Sequence, residues 1–513
     1  MKFSKISSAQ NHLLKTHIIS VETDISPGLH SFSIVGLPDK AVEEARDRVS
    51  AAIKNAGFDS PKRTNAKIVV SLAPSHIKKE GPSFDLPIAM GYLLASETIS
   101  FDPTGKIFAG ELALDGSLRP VRGALSYARA ARENGYAEIF IPKANAEEAA
   151  LIEGISVFGA ESLLEVCAHV SGGKRISASV SEYQREELSV HKEGPNIDDI
   201  AGQETAKRGL VIAAAGRHNI GLYGPPGTGK TMLARALPSI LPALSFDEMI
   251  EVTEIHSIAG MLEGRLVARP PVRAPHHTAS YTAIIGGGSI PRPGEITLAH
   301  KGVLFLDEFP EFGRRSIEAL RQPLEDRTIA ISRGTLSACF PADFILIAAF
   351  NPCPCGNKGA PRKQCTCTPA QISNYEKRIS GPVADRIDIW IEVSAVEHDK
   401  LLREKMGQKE TESARAVVSK ARDMQKSRAR ELGIDSETNS GLSSHELTQV
   451  ATMDERTKDI LDKASMAHGI SGRGYHRLVK LARTIADIEG SIKIEAPHML
   501  EALQYREKNF RQT

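Results

Sequence analysis

Hydrophobic and polar positions alternate in two different ways over the first third of the chain. Short β-branched runs such as AKIVVSLA (residues 66–73) alternate with helical stretches such as DKAVEEARDRVSAAIKNAG (residues 39–57), a pattern that predicts an α/β domain over residues 1–171. Residues 172–196 are polar and contain few large apolar side chains, which is typical of a linker. The first domain boundary is therefore expected within them.

A second α/β pattern is predicted over residues 197–394. Three apolar runs, NIGLYG, GVLFLD and FILIAAF, have the length of buried strands, and a loop or a helix start follows each of them. Such runs predict a parallel sheet that is covered on both faces. From residue 395 to 513 the pattern changes to long helices without strand signals, which predicts a helical lid. Three domains also agree with the length of 513 residues.

The segment GPPGTGKT, which directly follows the first of these strands, matches the phosphate-binding motif G-x-x-x-x-G-K-[ST]. In that motif, glycines such as Gly227 and Gly229 let backbone N–H groups converge on phosphate oxygens. Lys230 reaches the β- and γ-phosphates, and Thr231 offers its hydroxyl to Mg²⁺. The sequence therefore predicts a site for ATP and Mg²⁺. Its candidate residues are Gly224, Pro225, Pro226, Gly227, Thr228, Gly229, Lys230 and Thr231.

Two further strand ends carry polar side chains. VLFLDEF contains Asp307 and Glu308, where one carboxylate can hold Mg²⁺ and the next can polarise a water for attack on the γ-phosphate. FILIAAFNP contains Asn351, whose amide can sense the γ-phosphate and orient that water. An asparagine before a proline is also an ordinary turn signal. The acidic pair predicts ATP hydrolysis rather than binding alone.

These motifs occur in the order typical of AAA+ ATPases, and the chain resembles that family. The resemblance implies that Arg386, in ISGPVADRIDIW, is a finger inserted into the γ-phosphate site of a neighbouring subunit, with Arg378 as the alternative. It also implies that Arg473, in SGRGYHRL, is the sensor arginine of the lid. Each of them can instead be a surface arginine. A finger supplied by a neighbour implies a ring, and rings of this family are usually hexamers.

Two insertions accompany the nucleotide motifs. The first, residues 262–301, contains a triple glycine and more arginines than acidic residues, and the second, residues 321–344, predicts a β-hairpin with a basic tip. Loops of this kind can grip phosphates through arginines and backbone N–H groups without reading the base sequence. Arg292 and Arg333 are the candidate DNA contacts. The alternative is that both insertions pack between subunits.

Long phrases in and around these insertions resemble the Mg-chelatase-like AAA+ proteins of the ComM type, also called YifB. The phrases are PHHTAS, GGGSIPRPGEITLAHKGVLFLDEFPEF, RQPLEDR and NPCPCG, and the likeness covers nearly the whole chain. It implies a homo-hexameric, ATP-driven DNA helicase that promotes branch migration during natural transformation. Its implied partners are single-stranded and branched DNA, with a recombinase filament as a further candidate. The alternative is a chelatase-like motor that remodels protein or cofactor complexes.

Four of the six cysteines lie close together in the sequence. Their thiolates suit tetrahedral Zn²⁺, although the single residue within each pair departs from the usual spacing. The alternative is a set of reduced cysteines without metal. Lys358, Arg362 and Lys363 would make the closed loop basic. The candidate ligands are Cys353, Cys355, Cys365 and Cys367.

The adjacent residues His276 and His277 are a weaker candidate for a metal site. Neighbouring side chains diverge on an extended chain, so two histidines in sequence do not readily bind one ion. We therefore expect packing or a pore-loop contact for this pair.

The N-terminal region resembles the Lon-type protease domain over about residues 15–170. SLAPSHIKKEGPSFDLPIAMGYLLAS matches the segment around the catalytic serine of that family, and GELALDGSLRPVRGALSYARAA matches the segment that carries its catalytic lysine. The resemblance places Ser83 at the serine and Leu125 at the lysine. Leucine cannot take a proton, and the nearby Arg122 stays protonated. We therefore expect a non-proteolytic domain in which Ser83 caps the following helix, and an ATP-dependent protease is the less favoured alternative.

Composition adds two constraints. Lys and Arg total 64 against 63 Asp and Glu, a formal net charge of +1, so a nucleic-acid partner must be bound by local basic patches and not by a global field. The longest apolar run, residues 344–350, is too short to cross a bilayer, and the N-terminus has no long apolar segment. We therefore expect a cytoplasmic protein without membrane contact.

Overall fold

The structure is a computed structural model of the chain. It describes residues 2–12, 15–63, 65–180, 194–261, 266–288, 291–333, 336–359, 363–395 and 409–506. The chain divides into two compact units, of which the first contains residues 1–187 and 250–266 and the second contains residues 188–249 and 267–513. The division into three domains with a linker stays a prediction, because residues 181–193 lie outside the described ranges.

The first unit is an α/β structure built on one large sheet. Its described strands are β1 Lys2–His12, β2 Lys15–Pro27, β3 Ser31–Val35, β4 Ala66–Ala73, β5 Lys106–Phe108, β6 Glu111–Leu112, β7 Leu118–Arg119, β8 Glu138–Pro142 and β9 Ser156–Ala160. Seven of them form the sheet β3-β4-β2-β1-β5-β8-β9. β2 is antiparallel to β1 and to β4, and the other neighbours are parallel. The α-helices wholly within this unit are Lys40–Asn55, Asp85–Ala95, Ala124–Glu133, Lys143–Ala149 and Leu163–Val170.

Local sequence explains the elements predicted in this unit. The carboxylate of Asp39 accepts a hydrogen bond from the N–H of Val42 at 2.8 Å, so the helix Lys40–Asn55 begins where an N-cap residue stands. In β4 every second residue is buried, because successive side chains of a strand point to opposite faces of the sheet. The predicted helix and strand are both confirmed.

The second unit contains a parallel sheet, two small hairpins and most of the helices. Its described strands are β10 Ile220–Tyr223, β11 Val272–Arg273, β12 Gly286–Gly287, β13 Arg292–Pro293, β14 Val303–Leu306, β15 Thr328–Arg333, β16 Leu336–Pro341, β17 Ile345–Phe350 and β18 Ile389–Glu392. Its described α-helices are Glu204–Gly216, Lys230–Ala236, Tyr281–Ile285, Glu295–Leu298, Arg314–Ala319, Arg321–Asp326, Pro369–Glu376, Gly381–Ala384, Glu410–Leu432, Ser444–Val450, Glu455–His468, Gly472–Glu489 and Ala496–Gln504. The division between the units falls within one further helix, Phe246–Ala259.

The five strands of the parallel sheet follow the order β11-β14-β17-β10-β18. Every residue of β14 and β17 is buried, as expected for strands that are covered on both faces. All neighbouring strands are parallel, so the carboxyl ends of β14, β17 and β10 lie at the same edge of the sheet. In open α/β sheets this edge is where ligands bind. The α/β class and the parallel sheet of the second pattern are confirmed.

The helices after residue 409 pack on the sheet region of the same unit. Val418 and Leu478 of these helices belong to one hydrophobic core with Ile220 and Ile389 of the sheet. The guanidinium of Arg477 donates to the backbone carbonyl of Ile387 at 2.8 Å. This contact holds the helix Gly472–Glu489 against the segment that precedes β18. The predicted all-helical character of this part is confirmed for its described residues.

None of the helices in the described part of the chain combines the length and the apolar composition that a membrane crossing requires.

Candidate active site

The segment GPPGTGKT forms the loop between β10 and the helix Lys230–Ala236, at the edge of the sheet where the strands end. Gly224 begins the loop so close to the backbone carbonyl of Val393 that an added Cβ would collide with it. Gly229 has φ 92° and is the N-cap of the helix, a conformation that favours glycine. Helix N-termini reached through such loops bind phosphate groups. The strand, loop and helix that the motif requires are all present.

Lys230 lies folded back over this loop. Its Nζ donates to the carbonyl oxygens of Gly224 at 2.7 Å and Pro225 at 2.8 Å, and to Oδ1 of Asn351 at 3.2 Å. Burial lowers the pKa of Lys230, since removing a charge from water favours the neutral form. All three acceptors are uncharged. An anionic phosphate would therefore be a stronger partner for this ammonium group.

Thr231 and Asp307 meet beside the loop. The hydroxyl of Thr231 donates to Oδ2 of Asp307 at 2.9 Å, so the first turn of the helix touches the carboxyl end of β14. A hydroxyl and a carboxylate are oxygen ligands of the kind that Mg²⁺ prefers. The two side chains that the sequence assigns to Mg²⁺ are thus adjacent, and their chemistry fits the ion.

Glu308 directly follows Asp307 and has an unusual backbone. Its φ is 52° and its ψ is 44°, the left-handed region that a residue with a side chain rarely adopts. Strained conformations of this kind cluster at functional sites. The carboxylate is half exposed, and its Oε2 lies 3.0 Å from Nδ1 of His277. The sequence had not indicated that His277 contacts this carboxylate.

The expected divergence of the two adjacent histidines is wrong. The rings of His276 and His277 lie 4.1 Å apart, because the chain turns at this point: the N–H of Ala279 donates to the carbonyl of His276 at 2.9 Å. The turn follows β11, which is the neighbour of β14 in the sheet. This position is what brings the ring of His277 to Glu308.

The three candidate arginines pair with carboxylates that lie outside the phosphate loop. Arg386 and Arg473 both bond to the carboxylate of Glu325, Arg473 through Nη2 at 3.2 Å, and the hydrogen bond from Arg386 lowers the pKa of Glu325. Arg378 pairs instead with Glu311 at 2.7 Å. The structure therefore brings together the loop, Lys230, Thr231, Asp307, Glu308 and Asn351, and it places the three arginines on two other carboxylates.

Three family models match the chain. They are described as magnesium chelatase, subunit ChlI (residues 196–401), subunit ChlI of Mg-chelatase (residues 21–145), and magnesium chelatase, subunit ChlI C-terminal (residues 408–506). Competence protein ComM of Haemophilus influenzae is 40% identical over 511 residues, which cover 99% of this chain and 98% of that protein. The protein YifB of Escherichia coli is 41% identical over 495 residues, 95% of this chain and 94% of that protein. The chain belongs to the ComM/YifB family. The resemblance inferred from the sequence phrases is confirmed.

This ComM/YifB-family chain is also similar, over part of its length, to a Lon protease. Lon protease 2 of Bacillus subtilis is 28% identical over 230 residues, which cover 40% of this chain and 41% of that protein. The Lon-like similarity expected from the sequence is therefore also found.

The four clustered cysteines of the ComM/YifB-family chain are brought together in space. Their sulfur atoms all lie within 4.8 Å of one another, and Cys353, Cys355 and Cys365 are mutually 3.5 to 3.7 Å apart. A tetrahedral Zn²⁺ with bonds of about 2.3 Å separates its sulfur ligands by about 3.8 Å. Hydrogen bonds from the backbone N–H groups of Asn357 and Thr366 lower the pKa of Cys355 to about 5. Burial raises the pKa of Cys353, so the spacing of the four sulfur atoms is the observation that fits Zn²⁺.

One of the three basic residues in the loop around the cysteines has a carboxylate partner. Lys358 lies 3.6 Å from the carboxylate of Glu376, and Lys363 is exposed. Arg362 lies outside the described residues. The basic character of this loop stays a prediction.

The two insertions of the ComM/YifB-family chain contain hairpins. β12 pairs antiparallel with β13, and β15 pairs antiparallel with β16, with Arg333 opposite Leu336. Arg292, in β13, is exposed. Arg273 is bound by both carboxylate oxygens of Glu295 at 2.6 and 2.8 Å. The predicted hairpin of the second insertion is confirmed, while its tip, residues 334–335, and the side chain of Arg333 lie outside the described part.

Ser83 lies in the first unit, within the short 3₁₀ helix Pro82–Phe84, and only 7% of it is exposed. Its hydroxyl is hydrogen-bonded to Tyr127, whose pKa is raised by burial. The expected capping role is wrong, because the following helix starts after Phe84 and has no side-chain cap. Leu125 is fully buried. Lys79, four residues before Ser83 in the sequence, is also fully buried, and its Nζ donates to the carbonyl of Pro74.

Proposed function

We propose that this chain is an AAA+ ATPase that works as a homo-hexameric DNA motor and promotes branch migration during natural transformation. The observation that carries the proposal is the meeting of Lys230, Thr231, Asp307 and Asn351 at the carboxyl ends of three adjacent parallel strands. Membership of the ComM/YifB family supports ATP and Mg²⁺ use, and the relative from Haemophilus influenzae is named a competence protein. DNA uptake and recombination are the processes that competence serves.

The proposed roles of the residues follow from their positions. Backbone N–H groups of the loop 224–231 and the ammonium of Lys230 would hold the phosphates of ATP. Thr231 and Asp307 would hold Mg²⁺, which when bound neutralises the charge that develops on the phosphate oxygens. Glu308 would accept the proton of the attacking water, and Asn351 would orient that water. All of these groups project from the same edge of the sheet.

The hexamer is proposed from the resemblance to AAA+ ATPases, whose rings are usually hexamers. Within one chain the candidate arginines bind the carboxylates of Glu325 and Glu311. Arg386 is held by Glu325 rather than by a group of the phosphate loop. A finger donated by a neighbouring copy would complete the site, and rings are the closed assemblies that such head-to-tail contacts form. Arg473 is proposed as the lid sensor, and Arg378 remains the alternative finger.

Contact with DNA is proposed through the two hairpins. Arg292 is exposed on β13, and Arg333 ends β15. Paired arginines such as Arg273 contribute less, since Glu295 already neutralises this guanidinium. Single-stranded and branched DNA are the proposed substrates, and a recombinase filament is a further proposed partner.

The cysteine cluster is proposed to hold one Zn²⁺. Four thiolates leave no open position on a tetrahedral ion, which is typical of a structural rather than a catalytic zinc site. The proposed ligands are Cys353, Cys355, Cys365 and Cys367.

Measuring ATP hydrolysis with and without DNA tests the proposal. A DNA motor is expected to hydrolyse ATP faster in the presence of single-stranded or branched DNA, and to move a DNA joint only while it hydrolyses ATP. A chelatase-like motor acting on protein or cofactor complexes would hydrolyse ATP at a rate indifferent to DNA. The latter result would overturn the DNA assignment and leave the ATPase assignment standing.

Replacing Arg292 with alanine is expected to weaken the salt dependence of DNA binding. The logarithm of the affinity for a single strand falls with the logarithm of salt concentration by about 0.7 per neutralised phosphate, so the slope should become shallower by about that amount when Arg292 no longer binds a phosphate. Fluorescence anisotropy of a labelled oligonucleotide over a KCl series measures the slope. Arg456→Ala, which removes an exposed arginine of a lid helix, is the matched control. Equal slopes for both variants would exclude Arg292 as a phosphate-binding residue.

Replacing Ser83 with alanine is expected to leave ATP hydrolysis and branch migration nearly unchanged. The change removes the hydrogen bond to Tyr127, which costs about 1 kcal/mol of stability, but no base stands at Leu125 to make the serine a nucleophile. Steady-state phosphate release and a joint-molecule assay measure both activities. A peptidase activity that is present in the wild type and absent from Ser83→Ala would show instead that the serine is catalytic.

A further inference from the structure

The cysteine cluster lies against the nucleotide site. Its loop starts two residues after Asn351, and Gly356 within it packs on the phosphate loop. A Cβ added to Gly356 would lie 3.0 Å from Cδ of Pro226 and 3.7 Å from Cγ of Asn351. The backbone of Gly356 therefore lies close to both Pro226 and Asn351, and a side chain at this position would crowd Pro226.

Asn351 is held from several directions. Its Oδ1 accepts from Nζ of Lys230 at 3.2 Å, and its backbone is hydrogen-bonded to the hydroxyl of the buried Tyr375. Gly356 lies so close that a Cβ added there would be 3.7 Å from Cγ of the amide. Of these three contacts, the last comes from the cysteine loop. Any movement of that loop would change the space available to the amide group.

The position of Gly356 depends on the cysteines around it. Its N–H donates to the carbonyl of Cys353 at 2.9 Å. The N–H of Lys358 donates to the sulfur of Cys353, and the N–H of Cys355 donates to the sulfur of Cys367, each at 3.4 Å. The sulfurs thus act as acceptors that fold the backbone on both sides of Gly356. Backbone N–H groups bonded to metal ligands orient those ligands and are in turn fixed by them.

We infer that the Zn²⁺ proposed for this cluster is a positioning element of the ATP site. The metal would tie Cys365 and Cys367 to Cys353 and Cys355, and so hold Gly356 against Pro226 and Asn351. Without it, only weak S–H···S contacts would hold four thiol groups within 4.8 Å of one another. The inference rests on the proposed ATPase function and on the proposed zinc ligands. It adds that ATP turnover depends on zinc occupancy although zinc takes no part in the reaction.

Two substitutions at one ligand test the inference. Cys367→Ser removes a thiolate from a partly exposed position, and Cys367→His replaces it with another zinc ligand. Zinc content by a colorimetric assay, the Kd of a fluorescent ATP analogue, and kcat and KM for ATP are measured on each full-length variant. Cys339→Ser is the matched control, because Cys339 is an exposed thiol of β16 outside the cluster.

The wild type and the control are expected to bind about one zinc per chain. Cys367→Ser is expected to lose the zinc and to show kcat/KM for ATP lowered about tenfold or more, and Cys367→His is expected to regain both. If Cys367→Ser does not fold, the wild type is depleted with a zinc-selective chelator in excess Mg²⁺ and titrated with Zn²⁺. The value of kcat/KM should then fall and recover together with zinc occupancy.

Three results would overturn the inference, and they are distinguishable. If the wild type binds no zinc but hydrolyses ATP, the zinc proposal is wrong and the ATPase proposal is unaffected. A protein that loses zinc without any change in kcat/KM would show that the cluster does not position the site. A zinc-loaded wild type without ATPase activity would refute the proposed function itself.

Discussion

ATP hydrolysis by the Glu308→Gln variant is expected to be about 10²- to 10⁴-fold slower than that of the wild type, since general-base catalysis contributes on that order. Glutamine has the same size as glutamate, and the left-handed backbone at φ 52° is equally strained with either side chain. Its amide, however, cannot accept the proton of the attacking water. Phosphate release at saturating ATP gives kcat. The Kd of a non-hydrolysable ATP analogue should change by less than about threefold, because Glu308 acts on the reaction and not on binding.

The matched control for this variant is Glu318→Gln. Glu318 is a partly exposed glutamate that pairs with Arg321 at 3.3 Å, only ten residues further along the chain, and its replacement should leave kcat unchanged. Joint-molecule assays are run in parallel, since a motor that cannot hydrolyse ATP should not move a DNA joint. If Glu308→Gln migrated branches as fast as the wild type, the motor assignment would be wrong.

The parts of this site that follow a strand end could be predicted from the sequence. Apolar runs that end in Asp307 or Asn351 indicate buried parallel strands, and the carboxyl ends of such strands share one edge. The meeting of these residues with Lys230 and Thr231 is therefore a consequence of chain order and strand direction. The pattern of apolar residues and the geometry of a parallel sheet are sufficient to predict this meeting.

Contacts that depend on a turn or on packing between distant segments could not be predicted in this way. The ring of His277 reaches Glu308 because the chain turns after β11, and the sequence indicated only an extended segment there. The close approach of Gly356 to Pro226 brings together residues 130 positions apart. Neither contact leaves a periodic signal in the sequence.

The first strand, β1, could not be predicted from the sequence pattern for a different reason. β1 starts at Lys2, whereas the Lon-like region was expected from about residue 15. Its inward positions include Ser4, Ser8 and Gln10, which are at most 4% exposed, beside the apolar Ile6. A buried face built largely from polar side chains shows no alternation of hydrophobic and polar residues. Pattern methods rely on that alternation.

Glu325 connects the two proposed functional arginines. Its carboxylate binds both Arg386 and Arg473 within one copy of the chain, so neither guanidinium is free to stabilise charge on a phosphate while this arrangement holds. Assembly into a ring would have to exchange the carboxylate for the γ-phosphate of a neighbour. Arg386 is therefore expected to have two partners, one in each state.

The Arg386→Ala variant is expected to hydrolyse ATP about 10³-fold more slowly than the wild type. This factor is at the low end of the contribution that an arginine finger makes to kcat. Glu325→Gln separates this effect from a structural one. It removes the charge that holds Arg386 in the single chain but keeps the guanidinium, so it should retain most of the activity. If Arg386 merely anchored Glu325, both variants would lose activity alike. Arg378→Ala tests the alternative finger in the same assay.

Mixing the two inactive variants decides whether the arginine acts on a neighbouring copy. An Arg386→Ala subunit keeps Glu308, and a Glu308→Gln subunit keeps Arg386. In a mixed ring, a site is therefore complete wherever a Glu308→Gln subunit donates its arginine to an Arg386→Ala subunit. Random mixing in equal amounts should restore about a quarter of the wild-type rate, because about one interface in four has this arrangement. If Arg386 acts within its own subunit, every site in the mixture lacks one group, and the mixture stays as inactive as its components.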